Sequence, residues 1–128
     1  MDEQRNGVER EREPLQVEYL WWAECPSHEA GYALLEQALD AEGVAATITA
    51  IEVTSDEDAQ RLAFIGSPTI RLGGADIDPA PVATGAANRY ALACRAYRRE
   101  DGRIAPLPTL AFVRTALRRA LEHVADPE

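Results

Sequence analysis

The sequence has no lysine; all 13 of its basic side chains are arginine. Schiff-base chemistry on a lysine amine is therefore excluded. Basic residues are also few beside 22 acidic ones, and the net charge of −9 at pH 7 argues against general nucleic-acid binding, which relies on basic surfaces. Cysteine occurs twice, at Cys25 and Cys94, and histidine twice, at His28 and His123. Their spacing offers no finger-like ligand pairs, so no metal is expected, and no cofactor is called for. Apolar runs are too short for a membrane span. The opening MDEQRNGVEREREP lacks the apolar stretch of a secretion signal. The expected setting is cytoplasmic, with both cysteines as reduced thiols rather than a structural disulfide.

What is present fits one domain. The chain has 128 residues, of which 46% are apolar, enough for a core of its own. Residues 1–13 carry mixed charge typical of a flexible tail, the domain spans 14–124, and 125–128 form a C-terminal tail. From Leu15 to Trp22 the alternation predicts a strand, polar on one side at first and apolar on both sides later. Ser27, beside Pro26, is a candidate cap for a helix whose apolar positions include Ala30, Leu34, Ala38 and Ala41, and Gly43 stops it. Residues 44–53 make a second strand. Thr54 with Glu57, or Ser55 with Asp58, can cap a short helix over 55–64. Pro68–Leu72 reads as a third strand closed by Gly73-Gly74, residues 75–88 as a loop, and 89–98 as a fourth strand. Asp101-Gly102 makes a turn, and Pro106 and Pro108 introduce a last helix. The order is β-α-β-α-β-β-α. It predicts an α/β fold with a mixed four-stranded sheet flanked by helices, strands 1 to 3 parallel and the last two antiparallel.

Two sites in this order stand out. Cys25 falls in the stretch WWAECPSH, at the seam between the first strand and the first helix. Gly66-Ser67-Pro68-Thr69 lies just before the third strand. Together they resemble the thioredoxin-like superfamily, which carries its redox cysteine at that seam and faces it with a proline turn. The resemblance implies a cis bond at Ser67–Pro68. The run EVTSDEDAQRLAFIGSPTIRL, residues 52–72, followed by LACRAY at 92–97, is similar to the small DF-family (seleno)proteins. That resemblance covers about residues 15–122. Some of those relatives carry selenocysteine, which implies redox chemistry. The chain departs from thioredoxin at the motif: Cys25-Pro26-Ser27-His28 has histidine where C-x-x-C has its second cysteine.

Cys25 is the candidate nucleophile, because a helix start favours the thiolate, whereas Glu24 opposes it. The bland alternative is a buried small residue in a degenerate scaffold. His28 would hydrogen-bond the sulfur or add charge, or else merely decorate a helix turn. Ser27 is a cap rather than a catalyst, with no hydrolase motif around it. Cys94 is either a small core residue, sharing a strand face with Tyr90, Leu92 and Ala96, or the thiol that resolves Cys25. Trp21, Trp22 and Tyr32 line a substrate surface or belong to the core. Ser67 and Pro68 would face the substrate at Cys25. Arg95 and Arg98 bind an acidic group or cover a solvated strand face.

The expected function is a monothiol redox protein. Cys25 attacks a disulfide, peroxide or other electrophile on a small molecule or protein, and Cys94 or an external thiol resolves the adduct. Two other classes stay open: a soft-metal site for a mercuric or cuprous ion on the two thiols, and a binding scaffold without turnover. No nucleic-acid or membrane partner is expected, and the sequence specifies no oligomeric state.

Overall fold

The computed structural model describes residues 13–79 and 90–125. The expected tails, save for Glu13 and Ala125, and most of the expected 75–88 loop lie outside the described residues. Among these residues nine elements follow in order: β1 (Leu15–Trp21), α1 (His28–Glu42), β2 (Ala46–Glu52), α2 (Asp56–Leu62), β3 (Thr69–Leu72), β4 (Ala75–Asp76), β5 (Tyr97–Arg98), β6 (Ile104–Ala105) and α3 (Leu110–Ala125). The main sheet is four-stranded, ordered β2-β1-β3-β4, and β5 and β6 form a separate hairpin around Asp101-Gly102. No described helix is long and apolar enough to cross a membrane.

The α/β class and the mixed four-stranded sheet are as expected; two details of the sheet are not. β1 pairs parallel with β2, from Leu15 opposite Ala46 to Trp21 opposite Glu52, but antiparallel with β3. The expected parallel third strand is thus reversed, because seven-residue α2 is followed by a turn at Gly66–Pro68 that sends the chain back along β1. The fourth strand is also not residues 89–98. It is β4, reached through a two-residue turn in which Gly73 and Gly74 both have positive φ, 60° and 92°. That conformation matches the twist of a tight hairpin and is open to glycine. Among the described residues 90–98, only Tyr97–Arg98 belongs to a strand.

β1 divides the core. Leu15, Val17 and Tyr19 face α1 and α3, where Leu35, Ala38, Leu39, Val113 and Leu117 complete one apolar cluster. Leu20 faces the other way and packs with Val53, Ala59 and Phe64 beneath α2, with Trp22 laid against them. The strand is therefore buried on both sides only toward its end, as its alternation implies. α1 and α3 are tied at the surface by Glu42, which accepts from Arg114 at 2.6 Å and from Arg118 at 2.9 Å. α2 begins on the Ser55 hydroxyl, which accepts from the Asp58 amide at 3.0 Å; this is the second of the two expected caps.

Candidate functional site

After Trp21 the chain leaves the sheet in a tight turn. The Cys25 amide donates to the Trp22 carbonyl at 3.0 Å, and the His28 amide to the Cys25 carbonyl at 3.3 Å. This turn points the Cys25 side chain inward, and the residue is 0% exposed. Ser27 stands at the helix cap position without a side-chain cap bond, and α1 starts at His28. Cys25 thus precedes the cap by two residues. Its sulfur is not set on the free amides of the first helical turn; it donates to the Ser67 carbonyl at 3.5 Å.

Ser67 joins three segments. Its hydroxyl accepts from the Trp22 amide at 3.1 Å, its amide donates to the Ala93 carbonyl at 2.8 Å, and its carbonyl accepts from the Arg95 amide at 2.9 Å. Ser67–Pro68 is cis. The two backbone bonds form an isolated parallel bridge between Ser67 and Cys94. Gly66 lets the segments meet: a Cβ there would stand 2.7 Å from the Arg95 Cα and 2.9 Å from its amide nitrogen. Cys94 is consequently held on the same Ser67 residue whose carbonyl accepts from the Cys25 thiol. Burial, and then the neighbouring Cys25, push the Cys94 thiol up. The residue as a whole is nevertheless exposed, so the expected small core residue is not what Cys94 is.

The residue that is buried here is Arg95, its side chain 1% exposed. The expectation of a solvated strand face fails, because Arg95 points beneath the site and the chain on either side does not extend as a strand. Its guanidinium pairs with Asp76 of β4 at 2.9 Å, donates to the Tyr97 hydroxyl at 3.1 Å and sits over the Tyr97 ring. Tyr97 in turn donates to the Pro68 carbonyl at 2.7 Å. Burial disfavours the Arg95 charge, but Tyr97, Asp76 and Asp78 outweigh it and hold the group protonated more firmly than usual. Asp76 has no place in the sequence reading, and Tyr97 and Thr69, whose hydroxyl donates to the Gly66 carbonyl, enter it only within quoted stretches, with no role of their own. The alternation in Cys94-Arg95-Ala96-Tyr97 was the available signal, with arginine and tyrosine on one side. Arg98 is exposed.

On the helix side lies a groove of about 320 Å³ lined by Tyr19, Trp21, His28, Glu29, Tyr32 and Ala50. The His28 imidazole stacks on the Trp21 indole, 4.5 Å between centroids, and no hydrogen bond between that ring and the Cys25 sulfur occurs among the described residues. The Tyr19 hydroxyl donates to the His28 carbonyl at 2.5 Å. Burial, then the nearby Cys25 and Tyr32, push that hydroxyl far above its ordinary range. Of the expected aromatic surface, Trp21 and Tyr32 line this groove, whereas Trp22 packs on the opposite face of the sheet. Cys25, Cys94, Ser67 and Pro68 come together; His28 is adjacent through its backbone, and Trp22 through its amide.

Among the described residues no group of three or more histidines, cysteines and carboxylates is placed to hold a metal ion. Compared with models of protein families, with curated proteins and with solved structures, the chain matches none.

Proposed function

We propose that the chain is a thiol–disulfide redox protein of thioredoxin-like build, similar to the DF-family (seleno)proteins, with Cys25 and Cys94 as its working pair. The observation that carries this reading is that Ser67 holds both cysteines: its carbonyl accepts from the Cys25 thiol, and its backbone bridges to Cys94. It answers the main objection from the sequence, the missing second cysteine of the motif: a partner thiol comes from a distant segment instead. The sheet order, with a parallel β1–β2 pair and antiparallel β3 and β4, supports the thioredoxin-like part, as does Cys25 facing the Ser67–Pro68 turn. The pair gives up two electrons when a partner disulfide is reduced and the two sulfurs join.

Thiol counting before and after mild oxidation tests this, read together with a non-reducing gel and peptide mass spectrometry. The expected product is one intramolecular Cys25–Cys94 bond with a shifted band. Only intermolecular dimers, or sulfinic acid on one residue, would overturn it. The same adjacent sulfurs favour, as a second reading, a site for a mercuric or cuprous ion, since thiolates select soft metals. Stoichiometric thiolate absorbance on titration with such an ion, without any disulfide turnover, would favour that reading.

A further inference from the structure

We propose that every exchange between this site and an outside molecule passes through the Cys94 sulfur, and that Cys25 works only inside the fold. The proposal rests on the redox reading above and reverses the roles that the sequence suggests. Its basis is access. Cys25 is fully buried, with the Ser67 carbonyl taking its hydrogen and Cys94 as its neighbouring thiol. Cys94 is exposed. Thiol–disulfide exchange requires the attacking sulfur to reach the sulfur it attacks, so access decides which thiol meets the partner first.

The step balances with an external disulfide of a low-molecular-weight thiol as oxidant. Cys94 releases its proton to solvent and attacks one sulfur of that disulfide. A Cys94–sulfur bond forms, the external disulfide bond breaks, and one thiolate leaves. Cys25 then gives up its proton and attacks the Cys94 sulfur from within. The Cys25–Cys94 bond forms, the bond from Cys94 to the external sulfur breaks, and the second thiolate leaves. The two cysteines lose two electrons, the external disulfide gains them, and the two released protons match the two thiolates. The reverse reaction takes the same path, so an external thiol reducing the protein attacks at Cys94 and expels Cys25. The raised Cys94 thiol makes the first attack quicken toward alkaline pH. Arg95 and Gly66 are positioning residues in this scheme, one anchoring the segment from below and the other allowing it to lie against Ser67.

Two measurements test the assignment. Reduced wild-type protein is labelled with iodoacetamide and mapped by peptide; Cys94 is expected to react at least ~10-fold faster than Cys25. Oxidised glutathione is then given to Cys25→Ser and Cys94→Ser, with circular dichroism as the check on folding. Cys25→Ser is expected to accumulate a stable glutathione adduct on Cys94, and Cys94→Ser to take none over the same time. Faster labelling of Cys25 in the wild type overturns the proposal without any variant. So does an adduct on Cys25 in folded Cys94→Ser formed as fast as wild type is oxidised. A glutathione adduct that persists on wild-type Cys94 with no internal bond has a different signature: it overturns the redox pairing itself.

Discussion

Cys94 is pushed up first by its burial and then by the neighbouring Cys25. Cys25→Ala removes the contribution of the neighbour. The alkylation rate of Cys94, followed against pH, is therefore expected to move to lower pH in that variant; an unchanged profile would mean that the neighbour does not govern the titration. The sign for stability is fixed by the same direction. An acid raised in the folded state keeps its proton there after the unfolded chain has lost it, so stability is lost as pH rises past the ordinary thiol value of 9.0. The raised Tyr19 hydroxyl adds to that loss above 10.0. Gly66 gives a second expectation. A methyl group there meets backbone atoms of Arg95 rather than a flexible side chain, and the φ of 137° is itself unfavourable for any other residue. Gly66→Ala is expected to cost about 1–3 kcal/mol in urea unfolding and to slow formation of the Cys25–Cys94 bond.

The short hairpin of β3 and β4 places Asp76 under the site, and its pairing with Arg95 links that hairpin to the Cys94 segment. Breaking this pair leaves a guanidinium that water cannot reach. Losses of ~3–5 kcal/mol are usual when one partner of a buried pair is removed. Asp76 is itself 22% exposed and Asp78 also acts on Arg95, so Asp76→Ala is expected nearer to about 2 kcal/mol by denaturant unfolding. Glu18→Ala, which removes only the more exposed 3.6 Å pair with Arg71, should cost less than ~1 kcal/mol in the same assay. Equal costs would contradict the buried anchor. The α1–α3 pair depends on Glu42, whose carboxyl is held below its ordinary 4.5 by Arg118 and then Arg114. Its contribution is complete above that value and is lost as pH falls through the lowered one. The melting temperature of Glu42→Gln is thus expected to fall below wild type at pH 7 and to converge with it in acid.

At the scale of the molecule, what the sequence made legible was local. The alternation of β1, the helical spacing of α1 and the seam that holds Cys25 all depend on neighbours within a few residues. The segment around Cys94 does not. Tyr90, Leu92, Cys94 and Ala96 alternate as a strand does, yet the position of Cys94 is set by a glycine and a serine far earlier in the chain and by an arginine that buries itself on an aspartate of β4. The Gly73-Gly74 turn could have been recognised as a hairpin from the dipeptide alone; what hid it was a following strand of two residues. The reversed direction of β3 followed from the turn before it, which no periodicity encodes. Among the described residues the sheet order also leaves β2 at an edge, seven residues long and uncharged from Ala46 to Ile51. Such an edge invites pairing between copies once charge repulsion weakens. Turbidity is expected to peak near the isoelectric point of about 4.7, and Thr49→Lys on the exposed side of β2 to reduce that peak; a peak unmoved in height would exonerate the edge.

The Ser67 carbonyl has two donors in the reduced protein, the Cys25 thiol and the Arg95 amide. Closing a disulfide at Cys25 takes away the sulfur's hydrogen and leaves the amide without its competitor. The amide bond should then tighten, its proton should resonate further downfield, and its exchange with deuterated solvent should slow. Arg95, which has no sulfur and takes no part in the electron transfer, thereby becomes a spectroscopic gauge of how much of the protein is oxidised at any moment.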